Sequence, residues 1–157
     1  MRIGLLSDSH GNIQNVKKAG QYLKNNAKVN LIAHLGDEED DADVLKYLGI
    51  EIIKISGIFS NSFQDPTVIN HIVKDIEGVK VLFTHSPQLN PDDLAQIKAV
   101  FYGHTHIPKI ENKNGILWVN PGHLCEGGKK GGPPSFAVAD IKGGKIAADI
   151  IKYSDIF

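Results

Sequence analysis

The sequence predicts an α/β fold, and the first part of the chain carries the evidence for it. Three short apolar runs, at residues 2–7, 29–35 and 50–55, have the length of buried strands. The segments between them, at about 13–25 and 40–47, show helical spacing of apolar residues. Because strands alternate with helices in this order, we expect parallel strand pairing with the helices packed on the sheet.

Both predicted helices have suitable ends. Asn12 is a good N-cap residue for the first helix, because its side chain can accept a hydrogen bond from the first turn. Gly49 ends the second helix, at a position where a left-handed backbone favours glycine. The apolar side of the first helix is formed by Val16, Ala19, Gly20 and Leu23.

Turn residues separate short apolar runs in the rest of the chain, which predicts hairpins. The turns are Glu77-Gly78, 112–115 and Gly143-Gly144. We therefore expect mostly antiparallel strands here, with a short helix at 91–96 and a strand at 97–102. The predicted hairpin strands are 68–75 with 79–84, 109–111 with 116–119, and 135–141 with 145–151. The expected loops are 57–66 and 126–134.

Length and composition are those of a globular protein with a single domain over residues 1–157. Of the 157 residues, 41% are hydrophobic and 22% are charged. The net charge of −1 lacks the excess of positive charge that is typical of nucleic-acid binding. No apolar run is long enough to span a membrane. Met1 leads directly into a strand without the layout of a signal peptide, so we expect a cytoplasmic protein. The lone Cys125 excludes an intrachain disulfide, and the sequence is compatible with a homodimer.

Aspartate and histidine, residue types that commonly bind metals, follow four of the predicted strands. Asp8-Ser9-His10 follows the first strand, Gly36-Asp37 the second, His85 a later one, and Gly103-His104-Thr105-His106 the strand that ends at Tyr102. Ligands bind beyond the carboxyl ends of the strands in parallel sheets. If the backbone at His104 and His106 is extended, their rings point the same way and reach one site. The repetition at four strand ends favours a metal site over packing.

The candidate ligands also indicate which chemistry the site supports. Carboxylates with imidazoles and no thiolate suit Mn²⁺, Fe²⁺, Zn²⁺, Co²⁺ or Ni²⁺. Six candidates exceed the needs of one tetrahedral ion, so we expect two divalent metals, with Asp37 placed to bridge them through its two oxygens. Two such ions can hold a water as hydroxide and neutralise phosphate oxygens. The predicted reaction is hydrolysis of a phosphate ester without a covalent enzyme intermediate. The candidates are Asp8, His10, Asp37, His85, His104 and His106.

In these motifs the chain resembles the calcineurin-like metallophosphoesterases, and most closely their small prokaryotic phosphodiesterase branch. Asp8-Ser9-His10 resembles the family's Asp-x-His, and Gly36-Asp37 its Gly-Asp. His85 fits the family's single histidine after a strand, and residues 103–106 fit its Gly-His-x-His. Asn120-Pro121-Gly122 resembles the Asn-Pro-Gly-Ser turn of this branch. The motifs occur in family order, which makes the match specific.

The resemblance implies a two-sheet αββα sandwich with helices outside and a phosphate ester as substrate. We expect Asp37 and His104 to be the catalytic residues. The resemblance also assigns the ligands: Asp8, His10 and His106 to one metal, His85 and His104 to the other, and Asp37 to both.

One family motif is altered in this chain. The family places Gly-Asn after the third strand, and that asparagine is a ligand of the second metal. The matching stretch here is Ser56-Gly57-Ile58, and an isoleucine cannot bind metal. We expect Asn61 to substitute as a ligand through its side-chain oxygen. His123 stands where the branch usually has serine, either facing the site or ending a turn, and His34 is expected to be structural.

Three interpretations of function remain open from the sequence. The first is a dinuclear phosphodiesterase. The second is a binding scaffold of the same fold with weakened or lost catalysis, as in the retromer subunit of this fold, and the altered Gly-Asn motif keeps this alternative open. The third is a metal-dependent protein phosphatase, for which the chain is short. No pattern in the sequence specifies the natural substrate or the physiological metal.

Overall fold

The computed structural model describes residues 1–57, 70–125 and 132–157. Within these residues the chain forms two five-stranded sheets. In chain order the strands are β1 (Arg2–Leu6), β2 (Leu31–His34), β3 (Glu51–Lys54), β4 (His71–Ile76), β5 (Val79–Thr84), β6 (Ala99–Phe101), β7 (Lys109–Lys113), β8 (Ile116–Asn120), β9 (Ser135–Lys142) and β10 (Lys145–Lys152). The described helices are α1 (Ile13–Asn25) and the 3-10 helices Glu39–Leu48, Pro91–Leu94 and Tyr153–Asp155.

The first sheet has the strand order β10-β9-β1-β2-β3. Its strands β1, β2 and β3 are parallel, as the alternation of strands and helices predicted. The C-terminal hairpin extends this sheet, because β9 pairs antiparallel with both β1 and β10. Parallel pairing places Leu6 beside His34 at the ends of β1 and β2. The residues that follow these two strands therefore meet at one edge.

Most strand pairs in the second half of the chain are antiparallel, as expected, but the second sheet, with the order β4-β5-β6-β8-β7, also contains parallel pairs. The hairpins β4–β5 and β7–β8 are antiparallel as predicted, but β5 pairs parallel with β6, and β6 with β8. Turn signals identify hairpins, but they do not determine which hairpins lie beside one another. Since β5 and β6 run in the same direction, the residues after both strands also meet at one edge. Of the predicted strand 68–75, residues 68 and 69 lie outside the described residues.

The second predicted helix is a 3-10 helix, Glu39–Leu48, rather than an α-helix at 40–47. Its buried side chains are spaced by three residues, which matches the three residues per turn of a 3-10 helix. They are Ala42, Leu45 and Leu48. Gly49 ends it with φ 65°, as predicted, and its N–H donates to the Lys46 carbonyl at 3.2 Å. Pro91–Leu94 is likewise a 3-10 turn and shorter than predicted. None of the described helices has both the length and the apolar character of a membrane span.

Apolar side chains hold the two sheets and the helices together. Phe83 and Phe101 meet edge to face between the sheets, with ring centroids 5.4 Å apart. The helix α1 and the 3-10 helix at 39–48 cover the outer face of the first sheet, where Leu23 and Leu45 belong to one cluster with Phe136. A smaller cluster on the second sheet comprises Leu82, Ile97, Val100, Tyr102 and Trp118. This arrangement is the expected two-sheet α/β sandwich.

We predict that Phe83→Ala lowers the free energy of unfolding by about 3–5 kcal/mol, because it opens a cavity between the sheets. Phe83 has no exposed surface, and its partner ring would lose its edge-to-face contact. Urea unfolding followed by circular dichroism measures the loss. Val73→Ala, at a side chain that is 49% exposed on β4, is the control and should cost about 0.5 kcal/mol. Equal losses in both variants would contradict the assignment of the core.

Candidate metal centre

The candidate ligands lie just past the ends of four strands. Asp8 follows β1, Asp37 follows β2, His85 directly follows β5, and His104 and His106 follow β6. The two sheets bring these loops together, and the Gly103 N–H donates to the His85 carbonyl at 3.1 Å. The site therefore forms where the two sheets meet at one end of the sandwich.

The backbone at this site is left-handed rather than extended. Asp8 and His10 have φ values of 51° and 46°, and His104 and His106 have values of 68° and 61°. The expectation that the rings of His104 and His106 point the same way from an extended backbone was therefore wrong. The His106 ring lies beside His10, with centroids 4.9 Å apart, whereas the His104 ring lies beside His85 at 5.2 Å. The His-x-His pair is shared between two groups.

The first group brings four of the predicted residues within metal-binding reach of one another. His106 Nε2 lies 3.2 Å from Asp8 Oδ1 and 3.2 Å from His10 Nε2. His10 Nε2 in turn lies 3.2 Å from Asp37 Oδ2. One ligand atom from each of these four residues lies within 4.8 Å of all the others. Such a set of two carboxylates and two imidazoles can hold a divalent transition metal.

The second group is built around His85 and the other oxygen of Asp37. His85 Nε2 lies 2.9 Å from Asp37 Oδ1. His85 Nδ1 is 2.7 Å from the carbonyl oxygen of Leu35. Because a carbonyl only accepts, Nδ1 carries a proton there, and in the neutral ring Nε2 presents its lone pair to the carboxylate. Two lone pairs that face each other at this distance repel, and a cation near them removes the repulsion.

Unsatisfied buried atoms give a second indication that the residues fit a metal. Asp8 Oδ1, Asp37 Oδ1 and His85 Nε2 are buried, and among the described residues they face only other candidate ligands, Asp37 Oδ1 with His85 Nε2 at 2.9 Å and Asp8 Oδ1 with His106 Nε2 at 3.2 Å. The other oxygen of Asp8 is satisfied, because it accepts hydrogen bonds from the Ser7 hydroxyl and from the His104 N–H. Buried polar atoms that meet no partner outside the group are costly, so their convergence is expected where an ion completes the site.

Two glycines allow the loops of the two sheets to approach this closely. A Cβ at Gly103 would lie 2.0 Å from Ser7 Oγ and 2.9 Å from Asp8 Oδ2. A Cβ at Gly36, where φ is 94°, would lie 2.4 Å from His85 Nδ1. Both positions therefore exclude a side chain, and they explain why a glycine precedes Asp37 and His104.

Asn120, the last residue of β8, holds the His104–His106 turn. Its Nδ2 donates to the Gly103 carbonyl at 2.7 Å and to Thr105 Oγ1 at 3.0 Å. Its Oδ1 accepts the Gly122 N–H at 2.8 Å, and the side chain has no exposed surface. All the hydrogen-bonding groups of this amide are thus used between two loops, which gives the Asn-Pro-Gly motif a structural role.

The carboxylates and histidines shift one another's pKa values. Burial opposes the charge on Asp8, but contacts with His106 and Ser7 stabilise the carboxylate and lower its pKa. Burial also opposes protonation of His85, yet contact with Asp37 and the charge of Asp8 raise its pKa. Asp8 likewise raises the pKa of His106. The carboxylates thus stabilise positive charge at both groups, whether it is carried by protons or by metal ions.

The remaining sequence expectations have mixed outcomes. Ile58 and Asn61 lie outside the described residues, so the replacement of the missing asparagine stays a proposal. His123 is fully buried behind His106, with ring centroids 5.6 Å apart, and its Nδ1 lies 3.0 Å from Cys125 Sγ. His34 is buried as expected, with its Nε2 2.9 Å from Ser9 Oγ. Sequence reasoning did not identify the contacts of Ser9 and Asp41, for which no motif gives a signal.

The family is established by a match over most of the chain. Residues 1–144 match the model of the calcineurin-like phosphoesterase superfamily domain. The chain therefore belongs to this superfamily, and with the Asp and His cluster it is a metal-dependent phosphoesterase.

Individual relatives agree with the family. The phosphodiesterase MJ0936 of Methanocaldococcus jannaschii is 27% identical over 160 residues, which cover 90% of this chain and 94% of that protein. The structure of an archaeal phosphodiesterase superposes with a TM-score of 0.76 at 24% identity, covering 96% of this chain and 100% of the other. The zinc complex of Vps29 from Entamoeba histolytica has the same fold, with a TM-score of 0.66 at 15% identity over 97% and 99% of the two chains.

We predict that His34 makes the protein less stable in acid. Burial lowers the pKa of His34 to about 4 in the folded protein, against about 6.5 when unfolded. Below pH 6.5 the unfolded chain takes up a proton that the folded chain does not, so stability falls as the pH falls from about 6.5 toward 4. His34→Gln should therefore lose less stability than wild type between pH 7 and pH 5. The measurement is the melting temperature at each pH, and parallel losses would contradict the prediction.

Proposed function

We propose that the chain is a phosphodiesterase that holds two divalent metals at this centre. Membership of the phosphoesterase family and the 27% identity to an archaeal phosphodiesterase support this activity. In this proposal Asp8, His10 and His106 bind one metal, and His85 and His104 bind the other. Mn²⁺, Ni²⁺, Fe²⁺, Zn²⁺ and Co²⁺ all suit such ligands.

The position of Asp37 is the observation that carries the proposal. Its Oδ2 faces His10 Nε2 at 3.2 Å, and its Oδ1 faces His85 Nε2 at 2.9 Å. One carboxylate thus presents a different oxygen to each histidine group, as a bridge between two ions requires. When bound, two divalent ions lower the pKa of a water molecule and neutralise charge on a phosphate.

The exposure of the ligands indicates where the substrate enters. Asp8, Asp37 and His85 are buried, and they form the floor of the site. His104 is exposed and His10 is 29% exposed, so these two histidines lie on the solvent side. A phosphodiester approaching from solvent meets His104 first, which supports a catalytic role for this residue beside that of Asp37.

We predict that the purified protein hydrolyses bis-p-nitrophenyl phosphate when Mn²⁺ or Ni²⁺ is added, and that Asp37→Ala lowers the rate at least about 100-fold. Loss of residues that only support metal ligands costs about 10–100-fold, so loss of a shared ligand should cost no less. Mass spectrometry of metal content should show that both ions are lost from this variant.

Asp140→Ala is the matched control, because it removes an exposed carboxylate that pairs with Arg2 far from the site. It should keep full activity and metal content. Full metal content in Asp37→Ala would contradict the bridge. Absence of hydrolysis in a wild type that binds both metals would favour a binding scaffold, and preference for a phosphoserine peptide over the diester would favour a protein phosphatase.

We further propose that Asn61 completes the second metal site in place of the asparagine that Ile58 replaces. Without it, that ion has His85, His104 and Asp37, and three protein ligands with solvent are ordinary for a catalytic metal. We predict that Asn61→Ala weakens the second step of a metal titration and leaves the first unchanged. Calorimetry with activity measured at each step is the test. Titration curves identical to wild type would mean that the second ion uses only three protein ligands.

A further inference from the structure

Ser9 lies between two candidate ligands, but its side chain points away from the metal centre. Its Oγ is 2.7 Å from Asp41 Oδ2 and 2.9 Å from His34 Nε2. Ser9 and His34 have no exposed surface. The same oxygen of Asp41 also accepts the Gly11 N–H at 2.8 Å. Three segments that are distant in sequence therefore meet behind the Asp8-to-Gly11 turn.

The directions of these hydrogen bonds follow from the groups involved. A carboxylate only accepts, so the single hydroxyl proton of Ser9 points to Asp41. His34 must then donate its Nε2 proton to the Ser9 oxygen. His34 Nδ1 is buried and has no hydrogen-bond partner among the described residues, which is consistent with a neutral ring protonated at Nε2. The result is a chain of two hydrogen bonds that runs from His34 through Ser9 to Asp41.

These hydrogen bonds support the turn from Asp8 to Gly11, whose backbone conformation is unfavourable on its own. Asp8, His10 and Gly11 have φ values of 51°, 46° and 76°, and the first two are not glycines. Left-handed residues of this kind persist only where their surroundings hold them. Asp41 holds the residues on both sides of His10, through the Ser9 hydroxyl and the Gly11 N–H. The His10 side chain itself is 29% exposed, so its own burial does little to fix it.

We propose that Asp41, with Ser9 and His34, positions the His10 imidazole for the first metal. Asp41 would act through the backbone of the turn, since it does not belong to the group of residues whose ligand atoms converge. This inference rests on the proposed function, because it takes His10 as a metal ligand. It assigns the preorganisation of that ligand to a carboxylate on the 3-10 helix at 39–48, which lies outside the family motifs.

The test compares Asp41→Ala, Asp41→Asn and Ser9→Ala with a control. Asp43→Asn is the control, because Asp43 lies on the same 3-10 helix and pairs with Lys46 and Lys54 instead. Calorimetry and the visible absorption of bound Co²⁺ follow metal binding. Hydrogen exchange of the Gly11 amide and the tautomer of His34, from long-range proton–nitrogen spectra, are measured in the metal-free protein.

In Asp41→Ala we expect the affinity of one Co²⁺-binding step to fall about 10–100-fold and the absorption spectrum of the bound Co²⁺ to change. The affinity of the other binding step should stay within about twofold of wild type. The Gly11 amide should exchange faster. Asp41→Asn should recover part of the affinity, because its amide oxygen still accepts a hydrogen bond. Ser9→Ala keeps the Gly11 bond and should give a smaller effect in the same step. The control should match wild type in every measurement, and the wild-type His34 should carry its proton on Nε2.

Several results would overturn the proposal. Wild-type Co²⁺ curves and spectra in folded Asp41→Ala would show that the contacts are only structural. If Asp41→Ala does not fold, wild-type Co²⁺ curves and spectra in Ser9→Ala would lead to the same conclusion. Equal weakening of both steps would also contradict a role specific to His10. Two further results would overturn the proposed function together with this inference: a wild type that binds no Co²⁺, and a His10→Ala variant that binds Co²⁺ like wild type. The results above contradict only the role of Asp41.

Discussion

The candidate metal centre depends on a backbone constraint, since the turns that carry four of its candidate ligands pass through the left-handed region. Four of the six ligand candidates, Asp8, His10, His104 and His106, have φ between 46° and 68°. Each such residue costs about 1–3 kcal/mol, and it persists only where the surrounding structure holds it. The hydrogen bonds of Asn120 and Asp41 and the packed sheets beneath supply that support. The strain is therefore placed where side chains from two sheets must converge, as is common at functional sites.

The sequence predicted which candidate side chains come together, because each motif stands at a strand end and parallel strands present their ends at one edge. Asp8, His10, Asp37 and His106 form one group as expected. The sharing of the His-x-His pair between two groups was not predictable, because it results from the positive φ values of His104 and His106. No pattern in the sequence distinguishes these from extended residues.

Other features depend on contacts between distant segments, which local patterns do not encode. The pairing of β5 with β6 requires a crossover, and turn signals give only the hairpins. The hydrogen bonds among Ser9, His34 and Asp41 join residues 25 and 32 positions apart. The 3-10 helix is an exception, because the spacing of Ala42, Leu45 and Leu48 by three residues is visible in the sequence, where the segment 40–47 was predicted as a helix.

The proposed two-metal centre would let a chain of net charge −1 attract an anionic phosphate ester. Asp8 and Asp37 are the two carboxylates among the candidate ligands, and imidazoles that bind metal are neutral. Two divalent ions would bring four positive charges against these two negative ones, which leaves an excess at the solvent side where His104 lies. A phosphodiester carries one negative charge and is drawn to such a local field whatever the net charge of the chain. In the proposed two-metal centre the second ion supplies this excess of positive charge, so its loss would weaken the attraction of a phosphate ester.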